Sequence, residues 1–245
     1  VLRRNGLPAI VGSLLALALI MLAGAPHPAS RAAQGQKWLL GVPWAGTVGT
    51  EGGWCSVTVV SEFLAITAKH CGSGISQVVL DTAALPTNKS PIGVKEVVQN
   101  RDLDVEALVL RDRSGLSVTP LAASVARDWF YVWGYGRDWS NNSTNHLTRA
   151  DFNLPQQCPS HSFSDGGSLC WQTDAKNSVC TGDSGGPITQ NGAIIGMFTA
   201  FNWTSTRPGE QVNCSATNLG QGLTVQEMQP WLDQMISYAS PFPTW

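Results

Sequence analysis

Ser184 sits in Gly182-Asp183-Ser184-Gly185-Gly186, a serine with a glycine two places to either side. In one large group of folds, that spacing marks a sharp turn from a strand into a helix. Here Ser184 is followed by Gly185, Gly186 and Pro187, and then by Ile188 and Thr189. Glycines, a proline and a β-branched run do not start a helix. The strand–serine–helix fold also carries its acid and histidine after the serine. His27, His70, His146 and His161 all precede Ser184. That fold is therefore excluded, and Ser184 belongs on a turn between strands.

The rest of the chain reads the same way. "CSVTVVSEFLAITAKHC" (55–71) alternates and is β-branched, which predicts a hairpin. Further strands are expected in "QVVLDTAAL" (77–85), "IGVKEVVQN" (92–100), "VEALVLRD" (105–112) and the aromatic "WFYVWGYG" (129–136). "LTRADFNL" (147–154), "GSLCWQTD" (167–174), "PITQNGAIIGMFTAF" (187–201) and "GLTVQEM" (222–228) continue the pattern. Asn191-Gly192 tolerates the positive φ of a two-residue hairpin turn. Residues 33–54, rich in Gly, Trp and Pro, are expected to be extended. One helix is expected near the end: Pro230 suits a first turn. Trp231, Leu232, Met235 and Ile236 then share a face. Short strands at regular spacing imply an all-β sandwich or barrel pair.

Arg3 and Arg4 precede an apolar run, "AIVGSLLALALIMLAGA" (9–25), with small residues after it. This is the layout of an export signal, with cleavage expected after Ala32. The alternative is an uncleaved membrane anchor, since the run is nearly long enough to span. Six cysteines in an exported chain suggest disulfides, whose pairing the spacing leaves open. With no CxxC pair, no metal site is expected. Charged residues make up 13% of the chain and the net charge is −2. No field or basic stripe favours nucleic acid.

"GDSGGP" (182–187) occurs together with "ITAKHC" (66–71) and "RDLDVEALVL" (101–110). With these three strings, in the order His70, Asp104, Ser184, the chain resembles the trypsin/chymotrypsin family of serine proteases from about residue 38 to 240. The chemistry suits the residue types. A serine hydroxyl is a weak nucleophile and needs a neighbouring base. His70 can take and return a proton near neutral pH. An aspartate must orient the imidazole and stabilise its charged form. Asp104 leads straight into a strand and fits the family register; Asp102 fits less well and reads as a solvated loop residue. The backbone N–H groups of Gly182 and Ser184 are expected to form the oxyanion hole.

The resemblance implies two packed antiparallel β-barrels with a C-terminal helix, and disulfides Cys55–Cys71, Cys158–Cys170 and Cys180–Cys214. The expected division is a signal at 1–32, a first barrel within 33–125, and a second barrel with the helix within 126–245. The resemblance also places a specificity pocket. Its floor is Ser178, where trypsin-like members carry an aspartate for Lys or Arg. Its wall is Thr199-Ala200-Phe201, with Phe201 replacing a glycine, and Gly220 is expected to keep the opposite wall open. A small or apolar side chain before the scissile bond is therefore expected. The family often pairs a new N-terminal amine with the aspartate before the serine, here Asp183. No convincing equivalent follows the signal, so Arg137 is the expected partner, as in some bacterial relatives. The opening Val1 would also suit a bacterial chain. Lys69 stands where a small residue is usual.

The function implied is a secreted serine endopeptidase acting on protein or peptide substrates without a cofactor. Membrane association is expected only if the first segment is retained. Two alternatives remain: a catalytically inactive, peptide-binding relative, and an esterase using the same triad.

Overall fold

In the computed structural model, the described residues are 45–51, 53–72, 74–80, 91–115, 119–126, 128–137, 147–153, 156–158, 168–173, 178–202, 214 and 219–241. The expected signal, the extended segment up to Trp44, His27, His146 and His161 lie outside them.

β1 (Ala45–Thr50), β2 (Gly53–Ser61), β3 (Leu64–Thr67), β4 (Gln77–Leu80), β5 (Ile92–Gln99) and β6 (Glu106–Leu110) form a closed barrel in the order β1-β2-β3-β6-β5-β4. Every pairing is antiparallel, and β1 with β4 completes the ring. The pleat of a strand sends alternate side chains to opposite faces. In β2 this separates Val57 and Val59 from Ser56 and Thr58. Both sets are buried, the valines in the hydrophobic core. The hydroxyls of the polar set are bonded to the carbonyls of Gly182 and Gly185.

A second sheet comprises β7 (Phe130–Gly134), β8 (Thr148–Phe152), β9 (Gln156–Gln157), β10 (Leu169–Gln172), β11 (Pro187–Gln190), β12 (Ala193–Asn202) and β13 (Leu219–Thr224). Its order is β8-β7-β11-β12-β13-β10-β9, a barrel-like antiparallel arrangement. Its core is aromatic. Trp171 is fully buried and meets Phe130 edge-on at 5.3 Å, with Phe198 at 5.9 Å. Asn191 (φ 51°) and Gly192 (φ 79°) make the expected hairpin turn between β11 and β12. The three disulfides are Cys55–Cys71, Cys158–Cys170 and Cys180–Cys214, the pairs the family resemblance implies.

The C-terminal region departs from the sequence reading. The strand expected over 222–228 ends at Thr224, and helix α1 runs Val225–Ala239. A capping box explains the change of state. The Thr224 hydroxyl accepts from Glu227 N at 3.1 Å, and Glu227 Oε2 accepts from Thr224 N at 2.7 Å. The Thr-x-x-Glu signal was present in the sequence and outweighs the apparent alternation. Pro230 is therefore inside the helix rather than at its start. The bond it forfeits would go to the carbonyl of Gln226, which is exposed to solvent.

Met228, Leu232 and Met235 on α1 are buried in one cluster with first-barrel residues and with Met197 and Leu223 of the second sheet. The helix thus seals the seam between the two halves, touching β3 and β6 on one side and β12 and β13 on the other. Because the cap sets where this seal begins, Thr224→Ala should lower unfolding stability by about 1 kcal/mol. Urea denaturation of the variant beside Thr224→Ser, which keeps the cap, measures it.

Candidate active site

His70 lies in a 3-10 turn (Lys69–Cys71) directly after β3. The Cys55–Cys71 disulfide ties this turn back to β2. Asp104 ends the loop that enters β6 and is 7% exposed. Its carboxylate makes two contacts with one residue. Oδ1 accepts from the His70 backbone N at 2.9 Å, and Oδ2 lies 2.7 Å from His70 Nδ1. A carboxylate can only accept, so Nδ1 must carry the proton and Nε2 is left with its lone pair. Nε2 is 3.0 Å from Ser184 Oγ. The structure therefore brings His70, Asp104 and Ser184 together. Asp102 is exposed, and its backbone N bonds the Asn100 side chain at 2.9 Å.

The loop around Ser184 is ordered peptide by peptide. In a trans peptide, C=O and N–H point in opposite directions. Arg137 N donates to Thr181 O at 3.0 Å, and Gly186 N donates to Asp183 O at 2.9 Å. Those bonds turn the N–H groups of Gly182 and Ser184 the other way. Neither N–H donates to any group among the described residues. Gly182 has φ 99°, and a Cβ there would come within 2.7 Å of Trp54 Nε1. Glycine is thus required both by conformation and by space.

The first barrel holds the loop carbonyls. Ser56 Oγ donates to Gly182 O, Ser56 N to Ser184 O, and Thr58 Oγ1 to Gly185 O, each at 2.8 Å. Gly185 has φ 86°, and a Cβ there would overlap the Ser56 carbonyl and Thr67. Sequence reasoning missed Ser56 and Thr58. Their only signal is a hydroxyl at every second position of an otherwise apolar strand.

Asp183 is bonded to backbone N–H groups on both carboxylate oxygens. Its Oδ1 accepts from Gly136 N at 2.7 Å and its Oδ2 from Cys180 N at 2.8 Å. Burial pushes its carboxyl up to about 7, against the smaller opposite pull of those two bonds. The expected Arg137 partnership is replaced by these backbone donors. The Arg137 guanidinium lies over the Trp54 ring instead, 5.9 Å from its centroid. Lys69 Nζ turns to the Asn100 carbonyl at 3.1 Å.

Thr199 is buried, and its carbonyl accepts from Ser184 Oγ at 3.3 Å. Ala200 and Phe201 follow on β12, both half-buried. The Phe201 ring stacks on Phe198 at 6.4 Å. Ser178 is half-buried, two residues before Cys180 and its bridge to Cys214. Gly220 pairs with Trp171 across β10 and β13, and a Cβ there would overlap that indole, so its missing side chain makes room for Trp171. Beside His70, a cavity of about 680 Å³ is lined by Thr50, Glu51, Cys71 and Ile75 among others.

The family model described as Trypsin matches residues 30–219. Mast cell protease 8 of Mus musculus is similar, 29% identical over 178 residues that cover 63% of this chain and 71% of the mouse protein. The matched span takes in the first barrel, the second sheet as far as the start of β13 and all three residues of the His70–Asp104–Ser184 cluster, and the chain belongs to the trypsin family.

Proposed function

We propose that this protein is a secreted serine endopeptidase that cleaves peptide bonds through an acyl-enzyme on Ser184. The observation that carries the reading is the continuous line from Asp104 through His70 to Ser184, at 2.7 and 3.0 Å. As Ser184 Oγ attacks the scissile carbonyl carbon, His70 Nε2 takes its proton. Asp104 keeps the ring oriented and stabilises the imidazolium. The unused N–H groups of Gly182 and Ser184 stabilise the oxyanion, each such donor being worth about 3 kcal/mol in the transition state. His70 then protonates the leaving amine, and water repeats the sequence to release the acid. The cavity beside His70 is available to the leaving-group side of the substrate. Export is supported by the charged start and apolar run of residues 1–32 and by three disulfides.

The side chain before the scissile bond is proposed to be small or apolar. Ser178 supplies no negative charge for Lys or Arg, and Phe201 adds bulk beside Ala200.

A fluorophosphonate probe should add one adduct to the wild-type chain and none to Ser184→Ala. That variant should lose at least ~10⁴-fold in kcat. A folded wild type that takes no label would instead mark a peptide-binding protein. In a peptide library, cleavage should follow small or apolar residues, and Phe201→Gly should extend it to larger side chains. A profile dominated by Arg or Lys would refute the specificity reading. Ser56→Ala releases the Gly182 carbonyl and should reduce kcat about 10-fold or more with little change in KM, as seen in steady-state kinetics.

A further inference from the structure

Glu106 opens β6 two residues after Asp104, in a strand whose other members are Ala107, Leu108, Val109 and Leu110. It has no solvent exposure. Its Oε2 accepts from Gln99 Nε2 at 3.1 Å across the β5–β6 pair, and its Oε1 has no partner among the described residues. On its other side the register neighbour is Thr67. The Thr67 hydroxyl is committed to the Ser56 carbonyl at 2.8 Å and lies against Gly185. Cross-strand neighbours in register share a face. Glu106 is therefore on the same face of the barrel wall as Thr67, in the strand that Asp104 leads into. A carboxylate buried with one oxygen unsatisfied is costly, and barrel packing does not require one.

We propose that Glu106 is a positioning residue, a second carboxylate two residues beyond Asp104 whose ionisation holds the proton on His70 to higher pH. The inference rests on the protease reading above and concerns how that site is tuned. Burial pushes the Glu106 carboxyl up to about 7. The Gln99 bond draws it down, the Asp104 charge adds to the rise, and His70 draws it down again. Coupling between two sites is reciprocal. If a charged imidazole favours the Glu106 carboxylate, that carboxylate favours the charged imidazole by the same amount.

Other charges around Glu106 are engaged elsewhere or exposed. β3 (Leu64–Thr67) carries none, and β5 presents Gln99. Lys95 and Glu96 on β5 are exposed, and Glu96 accepts from Tyr238 Oη at 2.7 Å. Lys69 is bonded to the Asn100 carbonyl, and Arg101 and Asp102 are exposed. On α1 the buried positions are Val225, Met228, Leu232 and Met235. Its Glu227 is taken by the cap and its Asp233 by Gln229. Asp183, across the interface, is held by Gly136 and Cys180.

The test is the pH profile of kcat/KM for wild type and Glu106→Gln. Without the second carboxylate, His70 should lose its proton at lower pH. The acid limb should shift down by ~0.5 unit or more, raising relative activity at pH 6 about threefold. A structural role alone would change the amplitude and leave the limb in place. Stability provides a paired readout. A carboxyl whose folded value is raised from 4.5 to about 7 costs the fold stability as pH rises through that window. Glu106→Gln should therefore raise Tm at pH 8 relative to wild type, with a smaller or no gain at pH 4.5.

If the variant does not fold, the wild-type chain still decides. The His70 imidazole followed by NMR should titrate with two inflections, one its own and one from Glu106. Superimposable acid limbs, or a single inflection, would overturn the inference while a fluorophosphonate-labelled wild type leaves the protease reading standing. An unlabelled, folded wild type would remove the protease reading itself.

Discussion

Three hydrogen bonds from β2 to the loop that carries Ser184 hold the site together. Ser56 and Thr58 reach the carbonyls of Gly182, Ser184 and Gly185 across the seam between the two halves of the molecule. Each bond joins groups of buried residues, so each would be costly to leave unmade. They do two things at once. They dock the second sheet on the first barrel, and they fix the peptide orientations that point the N–H groups of Gly182 and Ser184 away from the protein interior. Helix α1 supports the same seam from its apolar side, through Met228, Leu232 and Met235.

The three acids buried near the site sit in different environments. Asp104 gives both oxygens to His70. Asp183 has both oxygens occupied by backbone N–H groups, no charged partner among the described residues offsets its burial, and its carboxyl is pushed up to about 7. Glu106, beside an apolar strand, keeps one oxygen without a partner among the described residues. The same residue chemistry yields an oriented partner, a backbone latch and a titratable neighbour, because burial and the supply of donors differ at each place.

Much of the fold was legible in local pattern. Alternating β-branched runs gave the strands, Asn191-Gly192 gave a turn, and the family resemblance supplied the disulfide pairs. The helix start was misplaced because Leu-Thr-Val alternates like a strand until the Thr224–Glu227 box takes over. Gly220 announces that space is needed without saying for what. Here the occupant is Trp171, its register partner from another strand. Arg137 was misassigned because two backbone N–H groups, which no sequence motif marks, had already satisfied Asp183.

By itself the sequence determined the residue types and their order: a serine on a glycine turn, a histidine beside a cysteine, and an aspartate ahead of a strand. These are local requirements of chemistry and backbone conformation, and they are written in contiguous residues. Only the tertiary structure decided the contacts between residues far apart in the chain. Ser56 and Thr58 became clamps, Thr67 and Glu106 came to share a buried face, and Trp171 filled the gap at Gly220. Such contacts depend on strand register and on the docking of one sheet upon another, and no short stretch of chain encodes either.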